Sequence, residues 1–554
     1  MTSVPEHEPW QAIANRKQAE RTQKIPAEWR IPDHLLPSDD TSDVQDFPQT
    51  SGLFTARELD ITSSTASDVV AKIAAREWQS EEVVKAVCHR AAVAQQLLNC
   101  ITEIYFDESI ARARDLDAYQ ARTGETTGPL HGLPISLKDQ FNLPGLDSTI
   151  GYISYAFQPA TEPSTLVSLL LNAGAIMYVK TNVPATLMMG ESVNNVFGRT
   201  VNPRNRQLTT GGSSGGESAL LTFRGSLLGV GTDIGGSIRH PCSYTGLFGL
   251  RPSHGRVSYQ GVTNTYLGQE AVRSCAGPMC HSADDIRLFM RTLASQQPWL
   301  HDPQCLPLPW REDQETLPAQ LCFGIATSDG HCSATPPLLR ALALTRSALE
   351  RAGHRTIPFV PVEMQDAHDL ITKMWSADGG EEFLRDTTHS SGEPLHPQIQ
   401  QWVQASQQQK PSVLATWQVQ HQRALLAQRW LERWQATARE TGTGRPVDGV
   451  IMPSTPFPAI RHEGGYPWHY GVLSPLLDLT TGVFPVTKVD LQHDRVPEAW
   501  TPVSEKDREV MEYYGRPENH ANALVGLALV GRRLEEEKVT AMLALLGEVV
   551  GVDY

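Results

Sequence analysis

Two glycine-flanked serine loops, "GGSSGG" at 211–216 and "GTDIGGSIRHP" at 231–241, lie close together in the chain with a mostly apolar stretch between them. A serine hydroxyl is a weak nucleophile until a base takes its proton, so a reacting serine needs a partner. "GSSGG" fits G-x-S-x-G, which would make Ser214 the nucleophile of a strand-to-helix elbow, yet no downstream Asp and His stand out to complete that triad. Serines in such loops are most often ordinary turn residues. A lysine three residues after a serine, the S-x-x-K arrangement, occurs nowhere in the chain. A distant lysine remains, and Lys138 in "HGLPISLKDQF" ends an apolar run bounded by glycine and proline. Taken alone, that position favours a strand-end lysine reaching out to water over a buried base. A phosphate cradle fits less well: Glu217 stands where the P-loop needs lysine, and Ile234 where a dinucleotide fingerprint needs its third glycine.

Such loops need a framework to hold them. Between 131 and 260, short apolar runs such as "LPISLKD" and "AIMYVKTN" alternate with glycine loops and helical stretches, the rhythm of an α/β layer structure. A second rhythm follows in "QLCFGIA", the helix "TPPLLRALALTRSALERAG" and "HRTIPFVPV", with further strands at "DGVIMPSTP" and "VFPVTKVD" and a closing helix in "RRLEEEKVTAMLALLGEVV". Residues 300–320 are proline-rich and read as a surface connection. In "QSEEVVKAVCHRAAVAQQLL", Ser80 is placed to cap a helix, with Glu81 and Glu82 suited to its positive end. Over 412–438, Trp417, Ala424, Ala427, Trp430, Leu431 and Trp434 form a helical stripe that reads as core. Residues 1–60 are polar and proline-punctuated, with a helical piece around Trp10–Glu28, and read as an arm packed on the body.

The 554 residues would make two or three domains or one large α/β domain. A net charge of −15 argues against a general nucleic-acid-binding role. Eight dispersed cysteines without a CxxC pair suggest neither a zinc site nor a disulfide framework. The first residues lack the pattern of a signal peptide, and the most membrane-like stretch, 166–179, is too short to span a bilayer. A reducing, cytoplasmic location is the expectation.

Taken together, "PISLKD" (134–139), "GGSSGG" and "GTDIGGSIRHP" resemble the amidase signature family of serine amidohydrolases. The resemblance runs from about residue 60 to the C-terminus through "AGAIMYVKTNVP", "GLFGLRPSHGRVS" and "VGLALVGRRLEEEKV", and the arm with "FGRTVNPRN" is most similar to the fungal acetamidase-type branch. Departures at Val179, Cys280 and Ala528 are peripheral and concern pocket shape. The resemblance implies an α/β/α domain over 61–554, with a mixed twisted central sheet sandwiched by helices and preceded by the N-terminal helical arm, 1–60. It implies a Ser–Ser–Lys triad of Ser237 as nucleophile, Ser213 as middle serine after a cis peptide from Gly212, and Lys138 as base. The amides of Ile234, Gly235, Gly236 and Ser237 would surround the oxyanion, and Leu187, Met188 and Met189 would wall an apolar acyl pocket. The activity implied is hydrolysis of a small-molecule carboxylic amide to acid and ammonia or amine through an acyl-enzyme. Neither metal nor organic cofactor is implied, and no nucleic-acid or membrane partner; a homodimer is left open. Two alternatives keep the scaffold. The arm argues against an ammonia-generating amidotransferase subunit, and the intact Lys138, Ser213 and Ser237 argue against a silent amide-binding protein.

Overall fold

The structure, a computed structural model, describes residues 8–387, 391–464 and 469–551; the first seven residues of the arm lie outside these. Thirteen strands are formed in chain order: β1 (Ile101–Ile104), β2 (Pro134–Lys138), β3 (Ile176–Thr181), β4 (Val193–Asn194), β5 (Gly198–Arg199), β6 (Leu228–Asp233), β7 (Phe248–Arg251), β8 (Cys275–Cys280), β9 (Cys322–Ile325), β10 (Arg355–Pro358), β11 (Gly449–Met452), β12 (Thr481–Lys488) and β13 (Leu524–Val530). β4 and β5 make a small ribbon. The other eleven share one sheet in the order β1-β3-β2-β6-β8-β7-β12-β13-β11-β9-β10. β2 runs parallel to both β3 and β6, and β9 parallel to β10 and β11, while the pairs from β6 through β8, β7, β12 and β13 to β11 are antiparallel.

Helices cover both faces, and the strands show it in their side chains. "LVGLALV" in β13 is buried throughout, the near-continuous apolar run expected of a strand with neither face in water. Because successive side chains point to opposite faces, Leu527 and Leu529 join one hydrophobic cluster while Ala528 and Val530 join another. Ile451 of β11 falls on the first side, Val450 and Met452 on the second. Among the described residues no helix is long and apolar enough to cross a membrane.

The arm is packed onto the body. Its helix, Trp10–Gln23, sets Ile13 and Ala14 against Ile153, Ala156, Val196 and Phe197. Further along, Arg21 donates to the Ile101 carbonyl at 2.7 Å. The buried Lys17 ammonium lies 2.5 Å from Glu103 and 2.8 Å from Asp147.

Two local expectations are corrected. Ser80 is the first residue of the helix Ser80–Leu98 rather than its cap. The amides of Ser80 and Glu81 donate instead to the Asp117 carboxylate at 2.7 and 2.9 Å, so a neighbouring helix, Phe106–Thr123, supplies the cap. In the helix Val413–Ala436 the buried residues are Leu426, Trp430 and Trp434, while Trp417 and Leu431 are 62% and 45% exposed and Ala424 and Ala427 are also exposed. The apolar residues are spread around this helix, so periodicity picked the wrong phase for all but the two tryptophans.

Candidate active site

β2 ends at Lys138, and its neighbours β3 and β6 enclose that end; the lysine is fully buried. Its Nζ hydrogen-bonds Ser213 Oγ at 2.7 Å and Thr232 Oγ1, from β6, at 2.7 Å. The Thr232 hydroxyl then donates to Gln140 Oε1 at 2.5 Å. Burial lowers the lysine pKa to about 7, and the more distant Asp233 and Glu217 carboxylates oppose the shift without cancelling it. An amine so placed spends much of its time neutral near pH 7 and can accept a proton.

Ser213 follows a cis peptide bond from Gly212. Gly212 is required by close approach, since a Cβ there would sit 2.4 Å from the Met189 carbonyl oxygen. Ser214, the elbow candidate, is bound in another way. Its N–H donates to the Ser237 carbonyl at 3.2 Å, and its Oγ lies 3.4 Å from both the N–H and the carbonyl of Thr232. It ties the two loops together at their backbones.

The second loop is shaped by Asp233, the last residue of β6. Its carboxylate accepts the N–H groups of Gly236 (2.9 Å) and Ile238 (3.1 Å) and a two-pronged contact from the Arg239 guanidinium at 3.0 and 2.9 Å. Arg239, with the buried Arg251 and these amides, holds the carboxyl well below the ordinary range despite complete burial. Gly236 has φ +126°, and a Cβ there would fall 1.9 Å from the His240 ring. The Gly236 N–H is therefore taken by Asp233, which leaves the amides of Ile234, Gly235 and Ser237 as the oxyanion candidates. Sequence reading missed Asp233 and Arg239 as a pair, although both stand in the second loop motif. It also missed Thr232 and Gln140, which carry no motif of their own.

Ser237, 6% exposed, makes no side-chain hydrogen bond among the described residues. Together with Ser213, Thr232, Ile234, Leu187 and Met188 it lines a cavity of about 10 Å³, room for about one water molecule. Asn264, Thr265, Tyr266 and Ser274 complete the wall. Met188 also lines an outer cavity of about 720 Å³ with Met189, Val193, Arg199, Ile399 and Trp402. The three predicted wall residues are thus divided: Leu187 lines the inner cavity, Met189 the outer one, and Met188 both. Among the described residues no group of three His, Cys, Asp or Glu side chains is arranged to hold a metal ion.

The buried amine is hydrogen-bonded to Ser213, which lines one cavity with Ser237. The family model described as Amidase matches residues 82–540, and the chain belongs to that family, the amidase signature hydrolases. It is 63% identical over 98% of its length, and 99% of the relative's, to a Curvularia clavata protein carrying the provisional name amidase kk1C. An acetamidase of Emericella nidulans is 42% identical, with 98% of each chain covered. Among solved structures, a fatty acid amide hydrolase superposes with a TM-score of 0.91 at 32% identity, covering 100% of this chain and 98% of its own. The protein is an amidase, a hydrolase acting on amides.

Proposed function

We propose that the protein hydrolyses a carboxylic amide through an acyl-enzyme on Ser237, with Lys138 as the base and Ser213 as the proton carrier between them. The observation that carries this reading is the fully buried Lys138 amine, 2.7 Å from the Oγ of Ser213, which lines one cavity together with Ser237. In its neutral form Lys138 takes the Ser213 proton as Ser213 takes that of Ser237, and Ser237 Oγ attacks the amide carbon. Amides of Ile234, Gly235 and Ser237 stabilise the oxygen as it becomes negative. The intermediate collapses as the C–N bond breaks, and the proton held on Lys138 passes back through Ser213 to the departing nitrogen. Water then enters, gives its proton to the same relay, and releases the acid.

The small inner cavity supports a short acyl group at Ser237, in keeping with the acetamidase relatives at 42% and 39% identity. Any larger part of the amide would lie beyond Met188 in the outer cavity. Treatment with a fluorophosphonate followed by peptide mapping tests the assignment. The label is expected within "GTDIGGSIR", lost in Ser237→Ala, strongly slowed in Ser213→Ala and least affected in Ser214→Ala. A label on Ser214, with Ser237→Ala still reactive, would overturn it.

A further inference from the structure

A second concave site, of about 340 Å³, is lined by His254, Glu270, Arg273, Arg423, Asp478 and Arg533. Its charges do not balance. Glu270 is bound by Arg273. Asp478 receives Arg533 at 2.7 Å, the buried Arg251 from beneath at 3.2 Å, and the His254 N–H at 2.8 Å. Arg273 donates in addition to His254 Nδ1 at 3.3 Å. Arg423 makes no direct ion pair among the described residues: its Nε donates to the Leu476 carbonyl at 2.5 Å, and Asp478 acts on it only from beyond contact distance. Three guanidiniums, those of Arg273, Arg423 and Arg533, thus line the pocket against two carboxylates, while the buried Arg251 beneath is also within reach of Asp233. Burial holds Arg423 below the ordinary guanidinium value; Asp478 opposes it, and the nearby Arg273, Arg251 and Arg533 add smaller effects in the same direction as burial.

We infer that this pocket is a binding site for a small divalent oxyanion of phosphate's size, held by Arg423 with Arg273 and Arg533. The chemistry is specific. A planar guanidinium already fixed through Nε presents its remaining N–H groups in the geometry that oxyanions accept. A phosphate carries about −1.5 to −2 near neutral pH, a charge suited to a pocket whose guanidiniums outnumber its carboxylates. One segment joins this pocket to the amidase site: Asn264, Thr265, Tyr266 and Ser274 wall the cavity at Ser237, while Glu270, Ala271 and Arg273 wall the arginine pocket. An oxyanion held by Arg273 tethers that segment, so binding should register in the KM for amide as well as in stability.

Inorganic phosphate is the probe, followed by thermal unfolding and calorimetric titration at fixed ionic strength against chloride and acetate. Saturable stabilisation by phosphate beyond both is expected, since a ligand that binds only the folded chain raises its unfolding temperature. Arg423→Gln should weaken phosphate binding about tenfold or more, and Arg533→Gln, at a more exposed position, provides the same reading should the first variant fold poorly. Ser237→Ala should bind phosphate as wild type does. Stabilisation by phosphate no greater than by chloride, equal stabilisation by acetate, or binding lost in Ser237→Ala but kept in both arginine variants would overturn the site. None of these readouts requires the acyl-enzyme assignment to hold.

Discussion

Replacing Lys138 by methionine removes the amine while keeping most of the side-chain length, and the structure gives the consequence a sign and a size. Burial takes the lysine from an ordinary 10.5 to about 7, roughly 5 kcal/mol of preference for the neutral form. The folded chain therefore holds this proton less tightly than the unfolded one. Below about pH 7 the wild type carries the full penalty of a buried ammonium, and it sheds that penalty as pH rises from 7 toward 10.5. Lys138→Met carries none. Losing the contacts to Ser213 and Thr232 removes about 1 kcal/mol each from the variant, so it should still be the more stable protein near pH 6, by about 2–3 kcal/mol. That advantage should shrink by up to about 1.4 kcal/mol per pH unit above 7. Denaturant unfolding at several pH values reads this directly. Fluorophosphonate labelling of the same samples reads the chemistry. Wild-type labelling should rise through about pH 7, whereas the variant should label some 10²–10⁴-fold more slowly and without that rise. Labelling within a few-fold of wild type at every pH would refute the assignment of Lys138 as the base, and a stability difference independent of pH would refute its burial as a strained amine.

Gly236→Ala would place a methyl group against the His240 ring at a φ that side chains rarely adopt. It should cost about 1–3 kcal/mol and displace the nucleophile loop, seen as a lower unfolding temperature together with near-complete loss of labelling. Lys17→Met leaves Asp147 buried without its ion-pair partner and Glu103 with only Lys24, at 3.7 Å, at a cost of about 3–5 kcal/mol. Burial already raises the Glu103 pKa, so this deficit should narrow as pH falls and Glu103 takes up a proton; thermal unfolding across acidic pH measures both.

Much of the site could be read from the chain because its chemistry is compressed into short loops. Lys138, Ser213 and Ser237 each stand in a motif whose glycines have local work to do, as the close approaches at Gly212 and Gly236 show. The alternation of strands and helices was also visible, since each element carries its own period. Long-range contacts were hidden. Nothing near Ser80 announces that Asp117 will cap its helix, and nothing near Lys17 announces Glu103 and Asp147. The long helix over 413–436 has apolar residues on several sides, and only the tertiary fold decides that Leu426, Trp430 and Trp434 turn inward. Thr232 was passed over because a threonine in a strand looks ordinary until Lys138 arrives beside it.

The order of strands bears on how the chain is made. β12 and β13 stand in the middle of the sheet, between β7 and β11, yet they are the last two strands to leave the ribosome. Until then the growing chain holds two partial sheets, each with an unpaired inner edge of the kind that invites association with other chains. The nucleophile loop waits as well. Behind it, the helix Arg239–Thr245 rests on β13: Ser243 Oγ donates to the Gly526 carbonyl at 2.8 Å, and a Cβ on Gly526 would lie 2.9 Å from the Ser243 backbone. A chain halted before residue 481 has Ser237 but not the β13 contact beneath its loop. Under the proposed mechanism, hydrolytic activity would therefore wait for β12 and β13 to take their places.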